Sequence, residues 1–464
     1  MATSRRDTTR SPPPSSETTS QAEQKQNSNR SPSNLNTIDK PWNIINSTIK
    51  FHNADHQFWW DRTGRMLARL LEHAKYSAAE RYRELFFYAL HAVPFLGASA
   101  DGKNYLLHWP SPTTPDNTPI DFSWEWGLDG TGVIRYQFEA IGPNAGTELD
   151  PLNSTAADSW IQQIKDQGLV PGHDLEWYRY FKSQLLLPDV ERTELTTQTI
   201  IEETTVKAGT VVAIDMEKSG PVMKICFYPG LKALELGLSN LELCARALRS
   251  LPQYSFMKGQ IEPLLTYLQE ATKRWNLETG ILGFDLLDPN DARIKIYVRA
   301  PHTTIEYLMD AVTMGGRIDM SQYSDRVLTD LRDFWTTFLG GAPDVVPDDA
   351  PGRARPGFYY IIKAGKPVSA KLYISPVWYS KNDADVMAKL RRYFETRKQG
   401  PDMLSQMANY ERALIDIFGQ RTIQERCGSQ YYLGCALQKE NLRIVTYSSP
   451  QTFDCEQDLR KQKK

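Results

Sequence analysis

Cysteine is scarce in this 464-residue chain. Its five residues, Cys226, Cys244, Cys427, Cys435 and Cys455, are odd in number, scattered, and form no C-x-x-C pair. That excludes a disulfide framework and a paired-cysteine metal ribbon, and points to a reducing compartment, with the cytoplasm as the expected location. An excess of either charge is also lacking: 54 Lys+Arg stand against 56 Asp+Glu, a formal net charge of −2. A nucleic-acid scaffold needs a basic surplus, so nucleic acid is not an expected partner. Long apolar runs are absent too. The longest, Leu85 to Ala98, is interrupted by His91 and Pro94 and is too short to cross a bilayer.

What the chain does have is aromatic side chains: 11 Trp, 22 Tyr and 17 Phe, with 41% hydrophobic residues, enough to bury a core. Tyrosine is the commonest of the three, and its hydroxyls need polar addresses. Residues 1–39 are Ser, Thr, Gln, Asn, Pro and Arg with almost no large apolar side chain, the composition of a disordered polar tail. The tail has no apolar stretch for a signal peptide, and Asp7, Glu17 and Glu23 are uncharacteristic of a transit peptide. Residues 40–464 read as a single domain.

Within that domain the pattern repeats. Two stretches with apolar residues at three- and four-residue spacing, Phe58 to Ala74 and Ala79 to Ala92, lead into two alternating segments, Ile120 to Trp126 and Val133 to Ile141, joined through Asp129-Gly130-Thr131-Gly132. The same order of two helices and a hairpin recurs with strands at Thr210 to Met216 and Val222 to Tyr228, Gly280 to Leu287 and Arg293 to Arg299, Phe358 to Lys363 and Ser369 to Ser375, and Gln430 to Leu437 and Leu442 to Tyr447. Roughly five units give about ten antiparallel strands. The expected fold class is α+β: a closed antiparallel β-barrel ringed by α-helices, since closure removes every edge strand.

Side chains two apart on a strand share a face. On the second strand of each hairpin one face carries Arg135, Gln137 and Glu139; Lys224, Cys226 and Tyr228; Arg293, Lys295, Tyr297 and Arg299; Lys371, Tyr373 and Ser375; and Arg443, Val445 and Tyr447. Every unit has a cation, and four follow it with tyrosine. One such strand is an ordinary solvent face of an open sheet, whereas recurrence in all units argues for a lumen with a cationic ring beneath a ring of phenols. Cations confined together repel by about 1 to 4 kcal/mol per close pair and call for a multiply anionic guest. The phenol faces above them favour an organic cation by about 0.5 to 2 kcal/mol each. An allylic diphosphate meets both needs. The acids are expected to lie mostly elsewhere.

At these residues the chain resembles the fungal aromatic prenyltransferases of the dimethylallyl tryptophan synthase family. The resemblance is carried by Val133-Ile134-Arg135-Tyr136-Gln137-Phe138-Glu139, Lys224-Ile225-Cys226-Phe227-Tyr228-Pro229-Gly230-Leu231-Lys232-Ala233, Arg293-Ile294-Lys295-Ile296-Tyr297, Thr313-Met314-Gly315-Gly316-Arg317 and Lys371-Leu372-Tyr373. It implies a ten-stranded barrel of the αα-ββ type. It also implies metal-independent transfer of a prenyl group, usually dimethylallyl, from its diphosphate to an aromatic acceptor, with no cofactor or metal. By the same resemblance Arg135, Lys224, Arg293, Lys295, Lys371 and Arg443 bind diphosphate, and Tyr228, Tyr297, Tyr373, Tyr432 and Tyr447 shield the allyl cation or bind phosphate oxygens. Lys371 stands where the family often has Gln, and Cys226 where it commonly has Tyr.

On the acceptor side, Asp121 takes the place of a Glu that accepts a hydrogen bond from the acceptor and is the catalytic candidate. Val211 stands in place of a proton-shuttling Lys, and Gly280 in place of an Arg that holds an amino-acid carboxylate. With Cys226 these form the expected acceptor pocket, widened by small side chains. Free tryptophan is therefore not the expected acceptor. A phenolic or polyketide aromatic is, with an indole alkaloid or cyclic dipeptide as the second choice; the protein would act as a monomer or homodimer. A non-catalytic barrel for an aromatic or prenylated ligand is the alternative of another class, against which the retained diphosphate cations speak.

Other motifs have simpler readings. His52 and His56 have no metal-site pattern of carboxylates around them and mark a helix start. Asp348-Asp349 lies in a Pro/Gly-rich loop, Asp383-x-Asp385 begins a helix, and Gly127-x-x-Gly130-x-Gly132 is a hairpin turn.

Overall fold

A computed structural model describes residues 40–99, 109–188, 207–217, 220–397 and 400–453. The polar segment 1–39 and Cys455 lie outside the described residues. Ten strands close into one antiparallel barrel in the order β1-β10-β9-β8-β7-β6-β5-β4-β3-β2. They are β1 Ile120–Trp126, β2 Gly132–Phe138, β3 Thr210–Glu217, β4 Gly220–Phe227, β5 Glu278–Asp285, β6 Ile294–Arg299, β7 Gly357–Ile362, β8 Ser369–Ile374, β9 Gln430–Leu437 and β10 Leu442–Ser448. Each expected hairpin is present, with ends shifted by a few residues, and β1 pairs with β10 to complete the ring.

The wet and dry faces follow from period-2 alternation. On β2, Ile134, Tyr136 and Phe138 are buried against the helices, while Val133, Arg135 and Gln137 are only partly covered and face the lumen. The dry core is thus the layer between barrel and helices, and the lumen is the polar face. Much of the aromatic content sits in that dry layer. Phe138 meets Trp160 at 5.2 Å, Phe284 meets Phe181 at 5.0 Å, Trp126 meets Phe394 at 5.0 Å and Tyr360 meets Tyr267 at 5.6 Å between ring centroids. Each buried ring of this kind contributes about 1.5 to 3 kcal/mol relative to exposure.

Local signals start the surrounding helices where the sequence places polar caps. Ser77 and Glu80 form a capping box for Ala78–Phe87, as do Ser239 and Glu242 for Asn240–Arg249. The helix Tyr254–Trp275 carries Pro263 in its interior. The missing N–H of that proline costs one helical bond, and the buried stripe of Met257, Ile261, Leu264, Leu265 and Leu268 outweighs it. Asp383 starts its helix as expected. Its buried carboxylate accepts from the backbone N–H groups of Ser429 at 3.1 Å and Gln430 at 3.0 Å, which fixes the entrance to β9.

Two bulges re-aim residues at one end of the barrel. Thr279 pairs with Val298 but Ile281 with Tyr297, leaving Gly280 as the extra residue on β5. Tyr447 pairs with Tyr432 but Ser448 with Gln430, leaving Tyr431 as the extra residue on β9.

Candidate functional site

The lumen holds a cavity of about 470 Å³, within the range of small-molecule sites. Its wall includes each residue expected to bind donor or acceptor: Asp121, Val211, Gly280, Cys226, the cations Arg135, Lys224, Arg293, Lys295, Lys371 and Arg443, and the tyrosines Tyr228, Tyr297, Tyr373, Tyr432 and Tyr447. Glu139 departs from its expected place. β2 ends at Phe138, and Glu139 is buried outside the cavity, accepting from the Trp109 indole at 2.7 Å. Burial pushes its pKa up to about 7.

Because successive strands run in opposite directions, the C-terminal halves of even strands and the N-terminal halves of odd strands share one end. The other end is the cationic floor. The expectation that acids lie elsewhere is corrected there: the odd strands supply Glu125, Asp215 and Asp285, interleaved with the cations of the even strands. Arg135 reaches Glu125 at 2.6 Å and Asp215 at 3.1 Å, and Lys224 also pairs with Asp215. Asp285 accepts from Arg293 Nε at 2.6 Å and Lys295 Nζ at 2.8 Å, while Arg443 pairs with Glu125. These carboxylates relieve the mutual repulsion that six bare cations would suffer. Burial opposes the ionised form of Asp215, but Lys224 and Arg135 outweigh it and hold its pKa below the usual carboxylate range. Burial pulls Lys224 down to about 8 against the attraction of Asp215.

Lys371 has no carboxylate within ion-pair distance among the described residues. Its Nζ lies 4.9 Å from the Tyr373 ring centroid, 5.4 Å from Tyr447 and 5.8 Å from Tyr359, and donates to the Tyr447 oxygen at 3.1 Å. Burial, then the neighbouring Arg443 and Arg135, holds its pKa well below that of an ordinary lysine.

Above the floor the phenols form a connected layer. Tyr297 meets Tyr359 at 4.8 Å, Tyr373 meets Tyr447 at 5.6 Å and Tyr432 at 6.0 Å between centroids, and the Tyr373 and Tyr447 hydroxyls lie 3.0 Å apart. Tyr359, on the first strand of the fourth hairpin, completes this layer and was not among the tyrosines expected from the sequence. Cys226 leaves a local gap: it pairs across strands with Val211 and Gly283, and its thiol lies 4.0 Å from the Tyr297 hydroxyl. Burial pushes the thiol pKa up, so it is a poor nucleophile.

At the opposite end, the buried Asp121 carboxylate accepts from Gln137 Nε2 at 2.5 Å and from the Tyr431 hydroxyl. Burial raises its pKa to about 7, while Tyr431, Gln137 and the charge of Arg353 restrain the rise. Tyr431 could not be found by alternation, which assigns it to the outer face with Leu433 and Cys435; the bulge turns it inward. Arg299, Arg353 and Arg355 line the same end.

The described residues contain no group of three or more His, Cys, Asp or Glu placed to hold a metal ion, and no helix long and apolar enough to cross a membrane. The arrangement can bind a compact polyanion at its floor, surround an adjoining cation with π faces, and orient a hydrogen-bond donor at Asp121.

Comparison with known proteins agrees with this geometry. The family model for tryptophan dimethylallyltransferase matches residues 55–413. A 4-O-dimethylallyl-L-tyrosine synthase of Claviceps purpurea is 28% identical over 85% of this chain and 88% of its own. Xanthone prenyltransferase B of Emericella nidulans is 27% identical over 91% of this chain and 94% of its own. The crystal structure of AnaPT from Neosartorya fischeri superposes with a TM-score of 0.77 at 19% identity, covering 88% of this chain and 97% of that one, which establishes the shared barrel.

Proposed function

The chain belongs to the tryptophan dimethylallyltransferase family of aromatic prenyltransferases, and we propose that it transfers a dimethylallyl group from dimethylallyl diphosphate to a phenolic acceptor. The observation that carries this reading is the charge of the floor. Six cations, Arg135, Lys224, Arg293, Lys295, Lys371 and Arg443, face three carboxylates, Glu125, Asp215 and Asp285, a formal excess of three positive charges. A fully ionised prenyl diphosphate carries about three negative charges, so the guest balances the floor without a divalent ion.

In the proposed reaction the C1–O bond of the donor breaks and the diphosphate leaves with the electron pair, its charge held by the floor. Tyr297, Tyr359, Tyr373, Tyr432 and Tyr447 face the allyl cation and exclude water, with Tyr228 nearer the acceptor end. An electron pair from the acceptor's ring or phenolic oxygen forms the new bond to the allyl group, and the acceptor then loses one proton. Asp121 has lone pairs left after Tyr431 and Gln137, so it can accept a hydrogen bond from the acceptor hydroxyl and raise its electron density. It is also the nearest candidate to take the proton. The short Asp121 side chain and the apolar Val211 favour a hydroxyl donor over an indole, and a relative named for the 4-oxygen of tyrosine supports a phenol.

The test is incubation with dimethylallyl diphosphate and EDTA against a panel of phenols and indoles, with products read by mass and diphosphate release followed in parallel. Prenylated phenols are expected. Neither product nor diphosphate from any acceptor would refute the reading, and loss of activity under EDTA would refute its metal-free form.

A further inference from the structure

We propose that the new bond is made at the acceptor oxygen, so that a phenol leaves as an aryl dimethylallyl ether and its ring carbons stay unsubstituted. The inference rests on the prenyltransferase reading and names the bond that is formed.

Asp121 borders the phenol layer on two sides. On the inner face of β1, Ser123 lies between Glu125 of the floor and Asp121, and Ser123 pairs across strands with Tyr447 of the layer. On the other side, the Tyr431 hydroxyl that donates to Asp121 belongs to a ring 4.9 Å from that of Tyr432, which in turn is 6.0 Å from that of Tyr373. The charge of Asp121 is felt at Tyr447 as well. An acceptor hydroxyl hydrogen-bonded to this carboxylate is therefore held at the rim of the allyl site. Its oxygen is the atom the protein fixes there, and the bond that fixes it also raises its electron density.

Attack through a ring carbon would leave a proton on that carbon, and its removal needs a base within reach. The wall above the floor offers none beyond Asp121. Val211, Ala213, Gly280 and Ile281 are apolar, and among the described residues no histidine lines the cavity. Burial pushes the pKa values of the Cys226 thiol and the Tyr228 phenol up, so both keep their protons. Lys224 and Lys295 are paired with Asp215 and Asp285 on the floor, and Lys371 serves the diphosphate. The departing diphosphate, held among six cations, is a weakened base. Attack through the oxygen needs Asp121 alone. The C1–O bond of the donor breaks with its electron pair going to the diphosphate, a lone pair of the phenolic oxygen forms the new bond to C1, and the O–H proton passes to Asp121 along the hydrogen bond already in place. The ring keeps its aromatic electrons throughout.

The test incubates the full chain with dimethylallyl diphosphate and, in turn, 4-methylphenol, 1-naphthol and 2-naphthol, each of which offers a hydroxyl and free ring carbons beside it. The position of the prenyl group is read by nuclear magnetic resonance, and diphosphate release is followed in parallel. The ether is expected in about tenfold excess or more over ring-prenylated phenol, the worth of a placed base. Val211→Lys sets a base beside the ring and should raise the ring-to-ether ratio about tenfold, and Val211→His makes the same comparison if the lysine does not fold. Each ratio is taken within one protein, so a change in total activity leaves it readable. A ring-prenylated main product from the native protein, or an unchanged ratio in a folded Val211 variant, overturns the inference while prenyl transfer stands. No product from any of the three phenols overturns it too. Diphosphate release then separates the cases: release without product leaves donor activation standing, and no release means that the prenyltransferase reading itself has failed.

Discussion

Gly434 on β9 lies so close to Lys371 on β8 that a Cβ on the glycine would sit 2.6 Å from Lys371 Cε and 2.9 Å from its Nζ. The glycine thus gives Lys371, the floor cation with no carboxylate partner among the described residues, its place under the phenol layer. Gly434→Ala should fold, because the clash meets the end of a flexible side chain, and should displace the ammonium. The expected outcome is a donor KM raised about tenfold with little change in melting temperature. An unchanged donor KM would detach Lys371 from the diphosphate.

Lys371 also predicts a proton count. Burial and the neighbouring arginines lower its pKa in the free protein, and a diphosphate beside it raises it again. Donor binding should therefore be coupled to proton uptake, measured across a pH series by calorimetry in two buffers of different ionisation enthalpy. Lys371→Met should abolish the Lys371 share of that uptake. Equal uptake in both proteins would place the proton elsewhere.

Asp121 sets the expected pH dependence. Its folded-state pKa is raised to about 7, so the carboxylate needed to accept from the acceptor hydroxyl forms as pH rises through that value. The kcat/KM for the acceptor should show a rising limb there, absent in Asp121→Asn. Tyr431 donates to the carboxylate and favours ionisation, so Tyr431→Phe should move the limb about one unit to higher pH. The sign for stability is opposite to that of a salt-bridged acid: because the folded pKa is raised, the Asp121 contribution to stability falls as pH rises from about 4 towards 7. A limb unmoved in Tyr431→Phe would contradict the assignment.

Much of this site was legible in the sequence because the second strand of each hairpin repeats a cation and, in four of the five, a tyrosine two or four residues on. Strand period 2 puts both on one face. The same rule applied to the first strands would have found Glu125, Asp215, Asp285 and Tyr359, which alternate as regularly but differ from unit to unit and so make no repeat. Tyr431 was of another kind: a bulge breaks the alternation there, and no single-strand pattern reveals where a neighbouring strand skips a residue. Arg353 lies in the loop before β7, and its position in the lumen follows only from the chain path that closes the barrel.

The most direct test of the central claim is titration of the full protein with inorganic diphosphate in the presence of EDTA, followed by calorimetry. A floor with an excess of three positive charges predicts one site per chain, with affinity falling steeply as salt is raised. Binding should weaken about tenfold or more in Lys224→Met. No binding, or binding only when magnesium is added, would contradict the account.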